Sequence, residues 1–359
     1  MPSNQSAIFS LYRAFHRQIR VLPTEYLRQF FKIKLGDDVR ALLQTSDRKL
    51  QSRKTKRVRK ELQKMTLANQ GNTEKFDHVL DLAYGRKGKL RWELMNYFLK
   101  DPGAPQPDAI IPAVPSSRPP VYSPELAALL TSPRAHKSSH LTPQALETPP
   151  TMPARADPYS EDARLLGPLS KRRQVNIRWR FFSNQKKRIY PPLQVNILEK
   201  TASGELQPRT DVDAVNRAGI RELGMQDIGV YEEVLALARP LTERDPVACR
   251  VRESLLEGSK SSLSPRFLQR RFAHLLGRLP LLTYSPPRSE GNEAVRPDPR
   301  EGKYSVSLAP LARHADLKNS PARMEDADAI DIAWFESAQQ ADRLRQEAAK
   351  QQKRPRAER

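Results

Sequence analysis

The chain reads as an all-α protein, a bundle of three or four helices over residues 5–100 followed by a largely disordered extension with short helical islands. Three observations predict this. Apolar residues in the first hundred positions recur at the three-and-four spacing of helix faces. Prolines there are limited to Pro2 and Pro23, whereas 14 fall between Pro102 and Pro158. Hydrophobic content is 38%, and 62 basic residues stand against 41 acidic ones, a net charge of +21. That leaves too little apolar surface to order all 359 residues. The expected organisation is a bundle at 1–100, a Pro-rich disordered linker at 101–163, basic helical islands with loops at 164–285, and a mostly disordered tail at 286–359 that ends in a helix-forming stretch.

The first helix is expected from about Ser6 to Val21, ended by Pro23. Ile8, Leu11, Tyr12, Phe15, Ile19 and Leu22 share one face, and Arg13, Arg17 and Arg20 form a ridge on another. A second helix should begin near Thr24, with Leu27, Phe30, Phe31 and Leu35 as apolar positions and a break near Gly36-Asp37. From Arg48 to Lys64 nine residues are Lys or Arg, against the single Glu61. Leu50, Val58, Leu62 and Met65 still give that segment an apolar edge. Gly71 should stop it and Thr73 should cap the next helix. That helix carries Phe76, Val79, Leu80, Ala83, Leu90, Leu94 and Phe98. Gly85 and Gly88 within it predict a kink or a close backbone approach.

The island from Lys171 to Arg188 holds eight basic residues and no acid, interleaved with Trp179, Phe181 and Phe182. Helical spacing is favoured over strand alternation there. A further helix starts at Ser264 as cap with Pro265 at its first position, and Leu268, Phe272, Leu275, Leu276 and Leu279 form its buried stripe. The tail carries an acidic-hydrophobic patch from Glu325 to Glu336.

The charge points to an acidic protein, a nucleic acid or an anionic surface as partner. Cys249 is the only cysteine, which excludes internal disulfides and all-Cys metal sites. The histidines show no ligand spacing, so no metal site is expected. No apolar run is long enough to span a bilayer. No Gly-rich phosphate loop or nucleophile–base pattern marks an enzyme. Before Glu25 the chain is acid-free, amphipathic and arginine-bearing, the profile of a mitochondrial import segment. The same residues build the first helix, so the segment is expected to stay uncleaved.

With Leu11-Tyr12-Arg13 opening helix one, and Leu27-Arg28 with Phe31 downstream, residues 8–100 resemble the LYR-motif family of mitochondrial adaptor proteins. Two strings, from Leu82 to Lys89 and from Leu169 to Arg173 with Trp179-Arg180, are similar to the fungal copper-tolerance-type branch. One Cys and six Met offer no clustered soft ligands, so no copper site is expected and any copper phenotype would be indirect.

The resemblance implies a three-helix (LYR-like) antiparallel bundle in the mitochondrial matrix. It also implies binding of the mitochondrial acyl carrier protein, whose acyl-phosphopantetheine would enter between the helices; no cofactor of the chain's own is implied. Leu11, Tyr12, Arg13, Arg17, Arg28 and Lys32 would then meet the carrier, Arg13 through a carboxylate. Phe15, Ile19, Phe31, Val79, Leu80 and Ala83 would line the acyl chain, and they suit either that lining or ordinary core packing.

The resulting reading is a non-enzymatic assembly factor that holds a client in respiratory-complex, iron–sulfur or ribosome assembly. The alternative is a basic RNA-binding protein, mitoribosomal or nuclear, using residues 48–64 and 171–188. Arg172, Arg173, Arg178, Trp179 and Arg180 are its candidate contacts with nucleic acid or client.

Overall fold

The computed structural model describes residues 4–99, 105–147, 152–200, 206–209, 225–240, 246–258, 260–286, 302–309, 311 and 340. Residues Met1–Arg313 form one unit. Of the second, His314–Arg359, only Gln340 is described, helical and exposed, so the acidic-hydrophobic patch and the terminal helix lie outside the described residues.

Four helices begin the chain: α1 (Asn4–Ile19), α2 (Glu25–Leu43), α3 (Arg48–Asn69) and α4 (Thr73–Ala83). Thr24 caps α2 by accepting from the Leu27 amide at 3.3 Å, and Asp47 caps α3 by accepting from the Lys49 amide at 2.8 Å. The cap of α4 is Asn72 rather than Thr73, because the Asn72 carboxamide reaches the Lys75 amide at 3.1 Å. Gly71 ends the preceding turn with φ +88°, which favours glycine. The break expected at Gly36 is absent. α2 runs through it because Leu35 and Val39 stay buried on either side.

Pairings fix the directions of the helices. Asp38 meets Arg57, and the Leu42 carbonyl accepts from Gln51 at 3.1 Å, so α2 and α3 are antiparallel. Asn69 donates to the Gln18 carbonyl at 3.0 Å, which brings the ends of α1 and α3 together. The result is an up-down-up bundle, with α4 returning along α3 through Glu61 and His78.

α5 (Gly88–Leu99) follows a joint at Tyr84–Lys87, so the single long helix expected up to Phe98 is two. Gly85 and Gly88 take φ +69° and +82° there, as the kink required. A Cβ on Gly85 would collide with the Leu94 side chain, so the two helices approach too closely for any larger residue.

The Pro-rich segment differs from the expected disordered linker. It carries α6 (Pro124–Thr131), capped by Ser123, and the short α7 (Gln144–Glu147). Leu126, Leu129 and Leu130 of α6 are buried. The prolines punctuate that segment, with Pro124 at the first helical position, where its missing N–H costs nothing. The short α8 (Glu161–Leu166) leads to α9 (Lys171–Arg188), helical as favoured and capped by Ser170.

Helices continue with α10 (Val230–Ala238), α11 (Pro246–Leu256) and α12 (Pro265–Leu276). In α12 the Ser264 cap, Pro265 and the stripe Leu268, Phe272, Leu275 and Leu276 stand as read from the sequence.

The helices are joined by a small sheet that the helical islands did not include. Its strands are β1 (Val195–Lys200), β2 (Leu206–Arg209), β3 (Pro280–Ser285) and β4 (Lys303–Leu308), ordered β2-β1-β3-β4. β1 runs parallel to β3, Val195 opposite Leu282, and the other two pairs are antiparallel. α10 to α12 thus form the crossover between two parallel strands. β4 also corrects the expectation of disorder after residue 286, because it pairs with β3 along its whole length, from Lys303 opposite Ser285 to Leu308 opposite Pro280.

β3 is buried on both faces, and its alternation divides the interior. Leu281 joins one core with the bundle, α10 and α12. Leu282 and Tyr284 join a second core with Met95, Phe98, α6, Phe182 and Val195. The protein remains predominantly helical, with the bundle at its amino-terminal end.

Candidate partner-docking surface

The ridge on α1 comes from a spacing that buries one stripe and frees another. Ile8, Phe15 and Ile19 are buried, while Leu11 and Tyr12 are half-buried against the first core. The Tyr12 ring lies 6.0 Å from that of His16. Arg13, Arg17 and Arg20 are exposed, and the contact of Arg13 is a long bond from Nε to the Phe9 carbonyl, 3.4 Å, within its own helix. Phe9 is 47% exposed beside this ridge and Ile33 on α2 is 67% exposed, each next to a cation, Arg13 and Lys32 respectively. The α1 surface therefore offers guanidinium groups with the exposed Phe9 at one end, which suits an acidic helix with an apolar edge.

Arg28 does not join this surface. Its Nη1 donates to the Leu22 carbonyl at 2.9 Å and the Pro23 carbonyl at 3.3 Å. Nε pairs with Glu25 at 2.8 Å, and Nη2 reaches the Glu257 carbonyl at 3.4 Å. Arg28 closes the α1–α2 turn and ties it to the segment after α11, so most of its donors are already taken. Lys32, one turn along α2, is exposed.

The proposed acyl-lining residues Phe15, Ile19, Phe31, Val79, Leu80 and Ala83 are each 0–3% exposed and belong to one continuous core. The α4 stripe that includes Val79 and Leu80 packs beside α12, where the Phe76 ring meets Phe267 edge-on at 5.4 Å. These residues serve as ordinary core in this conformation.

Charge on α3 exceeds its partners. Asp38 pairs with Lys34 and Arg57, and Glu61 pairs with Lys64 at 2.8 Å and His78 at 3.2 Å. Burial works against the Glu61 carboxylate, but the His78 ring and the Lys64 ammonium hold its pKa down to about 2. Arg53, Lys56, Arg59 and Lys60 remain exposed on the same helix, leaving a strongly positive flank.

A second constellation, absent from the sequence reading, surrounds the joint after α4. Asp81 is buried and meets Arg86 at 2.9 Å, Lys87 at 2.7 Å and Arg278 at 3.2 Å. Desolvation raises the cost of its charge, yet the three cations keep its carboxyl below the ordinary range. The carbonyl of Asp81 also accepts from the amides of Arg86 and Lys87. Arg86 lies 4.0 Å over the Tyr190 ring, and Asp77, one turn earlier, meets Arg271, His274 and Arg278. The signal was present: Asp77 and Asp81 stand four apart on a helix whose other positions are mostly apolar. The string from Leu82 to Lys89 therefore forms the joint that locks the bundle to the rest of the chain.

On α9, Arg172, Arg173 and Arg180 are exposed, Arg178 is half-buried and Trp179 is 41% exposed. The indole N–H of Trp179 donates to the Arg118 carbonyl at 3.1 Å. These residues lie on a different element from the α1 ridge. Among the described residues no group of His, Cys, Asp and Glu could hold a metal ion, and no helix is long and apolar enough to cross a membrane.

The antiparallel bundle opens on Leu11-Tyr12-Arg13, with Arg13 at the surface. Residues 11–95 match the model of the family described as LYR motif-containing protein 2-like. The match begins at Leu11 and ends at Met95 in α5, so it covers the bundle and the joint. It extends neither to α9 nor to the sheet. No curated protein and no solved structure matches the chain.

Proposed function

We propose that this protein is a non-enzymatic adaptor of the mitochondrial matrix that docks an acyl carrier protein on α1 and the exposed face of α2. In this reading it uses the sheet and α9 side to hold a client during assembly. The observation that carries it is the agreement between the LYR-type match over residues 11–95 and an α1 whose Arg13 and Arg17 are exposed at the surface. Carrier proteins present acidic helices, and a cationic ridge with the exposed Phe9 beside it supplies both steering and an apolar contact.

Arg13, Arg17 and Lys32 are the proposed contacts, with the α3 flank adding longer-range attraction. Leu11 and Tyr12 hold α1 in place rather than meet the partner broadly. An acyl chain has to part Phe15, Ile19 and Phe31 to enter, so loading would open the bundle along α1 and α2. Docking by charge needs no such opening. α1 supplies Ile8, Phe15 and Ile19 to the core, which supports retention of the amino-terminal segment after import. The copper-tolerance-type branch rests on the two residue strings alone.

The test is co-expression with a mitochondrial acyl carrier protein and affinity capture in the presence of nuclease. Capture that is lost with Arg13→Glu and Arg17→Glu supports the reading. Capture that persists in both variants contradicts it.

A further inference from the structure

A cleft of about 600 Å³ lies between the loop at residues 111–117 and the amino-terminal half of α9. It falls within the range of ligand-binding clefts, roughly 300–1,000 Å³. Ile111 and Val114 line the loop side, and Arg172, Asn176 and Trp179 line the helix side. The latter three, four and three apart, share one face of α9. Arg173 and Arg180 occupy the adjoining stripe beyond Asn176, and both are exposed. The bundle's docking ridge contains none of these residues, so the inference stands apart from the carrier reading.

The walls are built rather than incidental. The Ser117 hydroxyl donates to the carbonyl of Val114 at 2.6 Å, with that of Ile111 3.1 Å away, and accepts from the Ile111 amide at 2.9 Å. Trp179 is fixed from two directions, and its ring partner is itself held in place. Its N–H goes to the Arg118 carbonyl, its ring meets Phe182 edge-on at 5.7 Å, and Phe182 meets Tyr122 in the same way at 5.4 Å. With its one donor already used, the half-exposed indole has only its ring left to offer a ligand. Around it stand the cations of a helix that carries eight basic residues and no acid.

We propose that this cleft binds one nucleotide of a single-stranded RNA, its base against Trp179 and its phosphate on Arg172. Arg173 and Arg180 take the neighbouring phosphates, and the Asn176 carboxamide reaches the base edge. Stacking on an aromatic face inside a basic groove is the general means of holding single strands. An acidic peptide would use the same charges but would leave the cleft and the indole face without a role.

The test uses the full-length protein and a fluorescein-labelled oligouridine of about ten nucleotides, read by anisotropy from about 50 to 200 mM KCl. Affinity should fall steeply with salt. Trp179→Ala should weaken binding about tenfold or more, and Trp179→Phe should recover most of the loss, as stacking predicts. Arg172→Glu with Arg173→Glu changes two exposed side chains, so the fold should survive by circular dichroism, and it should weaken binding and flatten the salt slope. Three results would overturn the proposal: binding that survives all of these changes, equal loss from Arg53→Glu with Lys56→Glu on α3, or competition by a polyglutamate peptide as effective as unlabelled RNA. The second would indicate charge without a site, and the third an acidic protein partner.

Discussion

Arg91 Nη2 lies 2.7 Å from the carbonyl of Ile189, and the same nitrogen reaches the carbonyls of Lys187 at 2.7 Å and Lys186 at 3.3 Å. A buried guanidinium on α5 thereby closes the C-terminal end of α9, where helical carbonyls have no intrahelical partner. Residues nearly a hundred positions apart are joined by one side chain. Arg91→Ala should destabilise the protein by about 2–4 kcal/mol, since charge-assisted bonds are lost and buried carbonyls are left unpaired. Arg91→Lys should rescue little, because an ammonium on a flexible stem does not reproduce the fork. Chemical denaturation of the three proteins checks this.

Two glycines should respond in opposite directions. Gly85 has φ +69° and no room for a Cβ, so Gly85→Ala should cost about 1–3 kcal/mol. Gly36 lies inside α2 with nothing within 4 Å of an added Cβ, so Gly36→Ala should stabilise by about 0.5–1 kcal/mol. Melting temperatures of the pair provide the comparison.

Glu61 predicts an acid-side loss of stability. Its folded pKa, about 2, lies below the ordinary 4.5, so its contribution is complete above about pH 4.5 and disappears as pH falls toward 2. Denaturation midpoints measured between about pH 6 and pH 3 should fall less steeply in Glu61→Gln than in the parent.

The bundle should not be self-sufficient. Tyr84 and Phe76 are fully buried, and their rings meet Phe272 at 6.4 Å and Phe267 at 5.4 Å on α12. A fragment ending at residue 100 would expose that face. It should unfold at lower denaturant than the full chain and aggregate, as followed by light scattering. Phe272→Ala in the full chain should cost about 3–5 kcal/mol for the same reason.

The helical half of the fold was legible because its signals are local. The α1 stripe, the Thr24 turn, the Gly85–Gly88 joint and the Ser264-Pro265 start of α12 each need only a few adjacent residues. The sheet was less legible. β4 does show alternation, Tyr304, Val306 and Leu308 between Lys303, Ser305 and Ser307, but the surrounding polar sequence obscured it. β1 and β3 pair across more than eighty residues, and nothing local encodes that contact. α6 was hidden by composition, since prolines that mark its ends were read as evidence against any packing. At the docking surface, Arg13, Arg17 and Lys32 were legible as exposed cations. The engagement of Arg28 was not, because three of its four acceptors are backbone carbonyls, which carry no side-chain signature. The acyl-lining set shows the opposite limit: an apolar stripe reads alike whether it faces a ligand or its own core.

The most direct measurement is the intact mass of the protein purified with a co-expressed mitochondrial acyl carrier protein. The account predicts a one-to-one complex that carries an acyl-phosphopantetheine and disappears with Arg13→Glu. A chain that purifies alone, or a complex that Arg13→Glu leaves intact, would contradict it.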